Sequence, residues 1–220
     1  MTSTPFPGSP RLVRGGLVEV DPTSGAVLRV ITLQYNPETL TRTLAVQGIS
    51  ESGERSEVLR LKGPVIETIK VEAELDAADQ LEDPDQNATT VQFGLHPRLA
   101  ALESLLNPTV SELIDQNTLA ANGTLEVAPT EAPLVLFVWS AQRVLPVRVT
   151  EFSVTEEAFD PTLNPIRAKV SLGLRVLTVD DLPFTHRGST LFLGYLQRKE
   201  VLAGMAPSAA LDALGIGGVS

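Results

Sequence analysis

The sequence predicts an α+β fold that is mainly β, with one long β-hairpin and short flanking helices, and three observations carry that expectation. Residues 143–178 hold two alternating runs around a turn-rich break: Val147, Val149, Phe152 and Val154 in the first, then Ala168, Val170, Leu172, Leu174 and Val176 in the second. Apolar residues at period two, with polar ones between, mark strands with one covered face. Residues 133–140, PLVLFVWS, are nearly all apolar and rich in β-branched and aromatic side chains, which suits a central strand covered on both faces or buried at a subunit contact. Helical spacing is confined to two short stretches near 97–119 and one at 189–203.

From the start of the chain, residues 1–10 contain three prolines among Ser and Thr, a composition that resists helix and sheet and reads as a flexible arm. Residues 12–21 and 27–35 form a first hairpin about the turn chemistry of DPTSGA. Residues 39–47 continue as a strand, and the polar stretch 49–57 is an exposed loop that cannot bury a core. Two more strands are expected at 58–61 and 66–75. The second puts Ile69, Val71, Ala73 and Leu75 on one face, with Glu67, Lys70, Glu72 and Glu74 on or bordering the other. Residues 77–89 are acidic and turn-rich. Helices at 97–106 and 110–119 flank Asn107-Pro108, with Thr109 and Glu112 spaced as a capping box and Asn122-Gly123 closing the region. In the large hairpin the segment 156–165 makes the connection, since Asp160-Pro161 and Asn164-Pro165 each initiate a turn. The helix at 189–203 starts from a Ser or Thr cap. These readings divide the chain into an arm (1–10), a β body (11–180) with a helical insert at about 97–121, and a C-terminal helical extension (181–220).

Composition restricts function. A net charge of −10 argues against binding a phosphate backbone, whose affinity comes from Lys and Arg releasing counterions. The absence of cysteine excludes disulfides, thiolate metal sites and cysteine nucleophiles. No secretory leader pattern and no run of about 18 apolar residues is present, so direct membrane insertion is not expected.

Chemistry is sparse. His96 precedes Pro97 at a helix start and His186 lies beside Arg187, far apart in sequence and in no metal-ligand spacing, so structural or surface roles are read for both. The acidic stretch EAELDAADQLEDPDQN departs from the EF-hand spacing and reads as a solvated loop, though it leaves a monomeric carbohydrate- or calcium-binding β module as the alternative. Phe137, Trp139, Phe152 and Phe159 read as core or interface, and Arg143, Arg148, Arg167 and Arg175 as a solvated face. No catalytic group, cofactor or metal ligand is assigned.

Two segments resemble a known family. LQYNPETL at residues 33–40, with Tyr35, Asn36, Pro37 and Glu38, is similar to the F/Y-N-P-E segment near the start of contractile injection system tube proteins. FDPTLNPIRA, with Phe159, Asp160, Asn164, Pro165, Arg167 and Ala168, is similar to their later F-D-x-x-x-x-P-x-R-A segment. The two occur in the order expected of the family, and the resemblance covers most of the chain, from about residue 12 to residue 178. The resemblance implies a phage-tail-tube-like β-barrel or sandwich that assembles as a six-membered ring, with hairpins of neighbouring copies completing a β-lined channel. The longer body and the extension after Val179 resemble baseplate-proximal tube initiators or adaptors, although no LysM module is visible in the last forty residues. The implied role is a non-enzymatic ring joining spike hub to inner tube, with tube, spike-hub and baseplate proteins as partners, assembled in the cytoplasm into a particle that is released or membrane-docked. Asn36-Pro37 and Asn164-Pro165 are then turn-setting, and Arg167 holds a neighbouring carboxylate through its planar fork.

Overall fold

The computed structural model describes residues 13–48, 60–121, 132–209 and 211–215. The N-terminal arm, the polar loop at 49–57 and the Asn122-Gly123 helix end lie outside them.

Seven strands make one antiparallel sheet: β1 (Gly16–Val20), β2 (Val27–Thr32), β3 (Leu40–Ala45), β4 (Ile66–Asp76), β5 (Leu134–Ser140), β6 (Arg143–Phe159) and β7 (Pro165–Val176), in the order β2-β1-β5-β6-β7-β4-β3. The fold class is therefore α+β and mainly β. The first hairpin turns on Asp21, whose Oδ1 accepts from Thr23 N at 3.0 Å and Ser24 Oγ at 2.8 Å, while Gly25 takes the positive φ of 71° that closes it.

β5 is central, flanked by β1 and β6. Phe137 faces the main cluster, and Leu134 and Leu136 join Val20 in a second one, so both sides of the strand are covered, as its continuous apolar run requires. In β7, Val170, Leu172, Leu174 and Val176 are at most 2% exposed, each contributing about 1.5–3 kcal/mol by burial.

The helices are α1 (Ala78–Leu81), α2 (Ala88–Phe93), α3 (His96–Glu103), α4 (Val110–Ala121) and α5 (Arg187–Gly204), followed by a 3-10 turn at Leu211–Leu214. α5 places Phe192 and Tyr195 in the main cluster. Across a flat sheet, β2 and β4 would be about 24 Å apart at the usual strand spacing. Yet Gln34, two residues beyond β2, hydrogen-bonds to Asp76 at the end of β4. The sheet is thus folded over on itself around the core, in the manner of a barrel or sandwich.

Several expectations are corrected. The strand expected at 58–61 reduces, among its described residues, to an isolated bridge between Gly48 and Leu61. The acidic stretch after β4 contains α1 and the start of α2, because Ala77 accepts the amides of Gln80 and Leu81 and Asn87 that of Val91. Residues 156–159 belong to β6, since their register with β7 sets Glu157 opposite Arg167 and Phe159 opposite Pro165; the turn is only 160–164. α5 begins two residues earlier than expected, and its cap is not Ser or Thr: Gly188 N donates to His186 Nδ1 at 3.0 Å. Glu67 shares the core side of β4 with Ile69 and is 2% exposed. The capping box forms, with Thr109 N and Oγ1 both donating to Glu112 Oε2 at 2.7 Å, but the apolar positions of α4 are not buried.

Candidate functional site

The irregularity between Val149 and Phe152 in the apolar alternation is a β-bulge: the register with β7 shifts between Val149 and Glu151, leaving Thr150 as the extra residue. β6 pairs with β5 only as far as Val147, so from Arg148 to Phe159 it runs with β7 alone among the described residues. A ribbon of four strands, β6-β7-β4-β3, results, whose outer margins on β6 and β3 are unpaired among the described residues.

Which backbone groups point outward follows from two hydrogen bonds. Leu177 N donates to the Pro146 carbonyl and Ala77 N to the Ile166 carbonyl, so odd positions of β7 face β6 and even ones face β4. Carried through the register, Glu151, Ser153, Thr155 and Glu157 bond to β7, while Phe152, Val154 and Glu156 aim N–H and C=O away from the sheet. On β3, Thr41, Thr43 and Ala45 bond to β4, and Leu40, Arg42 and Leu44 aim outward. Among the described residues the outer side of β2 is a third free margin, with Val27, Leu28 and Val30 more than half exposed.

One face of the ribbon lies on the core and the other is polar. The polar face carries Lys70, Arg148, Arg167, Lys169 and Arg175 against Glu72, Glu74, Asp76, Glu151 and Glu157, with ion pairs from Lys70 to Glu151 at 3.4 Å and Lys169 to Glu157 at 3.2 Å. A groove of about 800 Å³ crosses it, bounded by Tyr35–Thr39 on one side and by Glu72, Glu74, Ser153, Thr155, Lys169 and Ser171 on the other.

The singled-out residues occupy two places. At the tip of the ribbon, Asp160 organises the turn. Its Oδ1 accepts from Thr162 N at 2.7 Å and Asn164 N at 2.9 Å, and its Oδ2 from Asn164 Nδ2 at 2.8 Å. Those bonds, led by the Asn164 side chain, hold the carboxyl down at about 2. Pro165 is buried, and its carbonyl accepts from Leu95 N at 2.9 Å, docking the tip on the α2–α3 junction. There Gly94 has φ 55° and a Cβ would stand 2.5 Å from that same carbonyl, so only glycine fits. Phe159 and Leu163 are left exposed at the tip, and Ala168 is fully buried.

At the other place, Asn36 clamps the approach to β1: Gly15 N donates to its Oδ1 at 2.9 Å and its Nδ2 donates to the Val13 carbonyl at 2.8 Å. Tyr35 is about half exposed beside it, and Pro37 and Glu38 line the groove.

Two residues that sequence reasoning passed over connect these places. Arg167 Nε and Nη2 both reach Asp76 Oδ2 at 2.9 Å, so the arginine does hold a carboxylate, but through one oxygen and within its own chain. The Ala78 amide, more than Arg167, keeps the Asp76 carboxyl below its ordinary range, and Asp76 in turn raises Arg167. The Asp76 backbone then exchanges two bonds with the Gln34 side chain, at 3.0 and 2.6 Å, and Arg98 donates to the same Gln34 oxygen. Burial pulls the Arg98 guanidinium below the usual arginine range. Gln34 lies inside the LQYNPE segment and Asp76 closes the β4 alternation, which is the only signal the sequence holds for them.

A second polar cluster links β3, β4 and α5. Arg42 Nε meets Glu67 Oε1 at 2.6 Å, its Nη2 donates to Tyr195 Oη at 2.9 Å, and Lys199 sits 4.7 Å over the Tyr195 ring and 3.7 Å from Glu67. Glu67 raises Arg42 above its usual value. Among the described residues no three His, Asp or Glu gather as a cation cage, and no helix is long and apolar enough to cross a membrane.

No family model matches the chain, and no curated protein matches it. Among solved structures, a chain from the tail of an empty GTA particle, computed with helical refinement and C6 symmetry, covers 74% of this chain and 90% of its own length. Its identity is 11% and its TM-score 0.28, a likeness too low to assign a function.

Proposed function

We propose that the chain is a structural, non-catalytic subunit of a phage-tail-like contractile injection particle, forming a ring at the baseplate end of the inner tube and joining spike hub to tube. The observation that carries the reading is the four-strand ribbon with one face on the core, one polar face and two unpaired margins. An unpaired margin offers backbone donors and acceptors to any passing strand, and a ring removes that hazard by pairing each margin with the next copy. Direction also agrees. β6 runs opposite to β7, β7 to β4, and β4 to β3, so β3 of one copy meets β6 of the next antiparallel, and the alternation continues unbroken round the ring.

The covered face must stay on its core, so the polar face becomes the channel wall. Its positive and negative side chains are balanced in number, which leaves no large single-sign field to trap a charged passenger. Six copies would close a wall about 45–50 Å across between backbones, from about 4.8 Å between strands tilted near about 40°. The position in the particle, the hub and tube partners, and release or membrane docking after cytoplasmic assembly are supported by the two resembling segments, Tyr35–Glu38 and Phe159–Ala168. The Asp76 link between their neighbourhoods is consistent with them acting as one unit.

Negative-stain microscopy and sedimentation velocity of the purified protein, alone and mixed with tube and hub proteins, test this. Rings or stacked discs are expected. A species that stays monomeric at all concentrations and with all partners overturns the assignment.

A further inference from the structure

In the proposed ring, the registers within one copy determine where the hairpin tip of that copy falls on the next. Phe152 stands opposite Leu172, Leu172 opposite Val71 and Val71 opposite Leu40, so Phe152 and Leu40 of one copy are level across the ribbon. At a seam between β3 and the next copy's β6, outward groups must meet outward groups, which restricts the residue facing Leu40 to Phe152, Val154, Glu156 or Ala158. Earlier positions lie at the bulge or before it, where β6 passes to β5.

Each choice sets the tilt of the strands. Glu156 opposite Leu40 displaces successive copies by four residues over four strands, one residue per strand, for a tilt of about 35°. Val154 there gives about 20° and Phe152 none, too flat to close a barrel. Ala158 gives about 46°, and its φ of 52° lies outside the extended region that a strand pair needs. The Glu156 register also pairs all three outward residues of each margin.

Carried on past Leu40, that register brings Phe159 level with Pro37, and the turn after it beside Asn36 and Tyr35. Both sides are apolar and open there: Phe159 and Leu163 are 49% and 76% exposed, and Tyr35 is 47% exposed. In one copy β6 and β3 stand three strand spacings apart, about 14 Å, with β7 and β4 between them, so a tip does not reach its own Tyr35. The tip is also strained. Ala158 and Leu163, at φ 52° and 67°, are the two non-glycine residues with positive φ among those described, a conformation that a bulky side chain rarely adopts. Leu163 N donates to the Asp160 carbonyl and Asp160 N to the Asn164 carbonyl, both at 3.0 Å, so the turn holds Leu163 in that conformation with its side chain in the open.

We propose that the hairpin tip of each copy seats on the Tyr35–Thr39 segment of the next, Phe159 and Leu163 against Tyr35 and Pro37. The occupant is a second copy, because strand direction and register carry the tip there and the monomer cannot. This inference rests on the ring reading and gives the Tyr35–Glu38 and Phe159–Ala168 segments a joint task, to set the register between copies.

The chain has no cysteine, so single-cysteine variants can be mixed in pairs and assembled. Thr155 bonds inward to β7 and Thr41 to β4, so across the seam they face each other as a non-hydrogen-bonded pair, a spacing that a disulfide fits. On oxidation T155C should couple to T41C in preference to T39C or T43C, and F159C should couple to P37C through a short bis-maleimide. Leu163→Asn, with a side chain that tolerates positive φ, should keep or raise the melting temperature of dilute protein while weakening ring formation about tenfold or more. A preference of T155C for T39C or T43C overturns the register and the seating with it. Coupling of T155C to T41C without coupling of F159C to P37C, or rings unchanged by Leu163→Asn, overturns the tip contact and leaves the ring standing. No coupling in any pair overturns the ring together with this inference.

Discussion

Proline at position 156 should separate assembly from folding. Glu156 is exposed, and its N–H points out of the sheet, so proline there removes no bond between β6 and β7. What it removes is one donor from the margin offered to the next copy. Three outward residues on each side, Phe152, Val154 and Glu156 against Leu40, Arg42 and Leu44, allow about six inter-chain bonds, together worth about 3–9 kcal/mol per seam. Losing one donor and leaving a facing carbonyl unmatched costs about 1.5–3 kcal/mol, or about 10- to 150-fold in affinity at each seam.

Ser153→Pro is the contrasting change, because Ser153 N–H faces Ser171 and its loss breaks the ladder inside the monomer. That should cost about 2–3 kcal/mol of folding stability, or about 5–10 °C for a chain of this size. Sedimentation velocity reads assembly and a thermal melt reads folding. Glu156→Pro is expected to melt within about 3 °C of the parent while failing to form rings. Should Glu156→Pro assemble like the parent at an unchanged melting temperature, the assignment of the β6 margin as the seam is wrong. Should it melt as low as Ser153→Pro, the outward direction deduced for position 156 is wrong.

Other expectations are more local. Gly94→Ala sets a Cβ against the Pro165 carbonyl at a positive φ, so a loss of about 2–3 kcal/mol is expected in urea denaturation, with faster amide exchange at Leu95. Glu67→Ala strands Arg42 beside Tyr195; because the arginine is partly open to solvent and keeps the tyrosine hydroxyl, the cost should be about 2–3 kcal/mol, below that of a fully buried pair, and Arg42→Met combined with Glu67→Leu should recover most of it. Asp160 titrates near 2 in the folded chain against an ordinary 3.8, so the turn is fully supported above about pH 4 and loses that support as pH falls towards 2. Asp160→Asn should flatten this acid limb, read as the melting temperature across pH 2–5, and a parent limb that is already flat refutes the role.

How legible the molecule is depends on how far apart the cooperating residues stand. Period-two alternation located β4, β6 and β7 to within a few residues, and the skip from Val149 to Phe152 is itself the imprint of the bulge that lets β6 leave β5. Prolines at 161 and 165 marked the tip, but made the turn look longer than it is. They forbid helix without forbidding strand, and Phe159 and Pro165 still fall opposite each other. The charge of Glu67 points to the polar side while its parity points to the core; Arg42, 25 residues away, and Lys199, on α5, resolve that conflict. The same limit hides Gln34 and Asp76, two polar residues each unremarkable alone, which link Arg167 to the LQYNPE segment, and it hides what covers the α4 stripe. A helical stripe predicts that something will cover it, but its periodicity says nothing about whether the cover comes from the same copy. In this chain the described residues leave the α4 stripe and the β6 margin both open. Of the two, the margin made of backbone hydrogen-bonding groups is the one that the proposed ring would pair with a second copy.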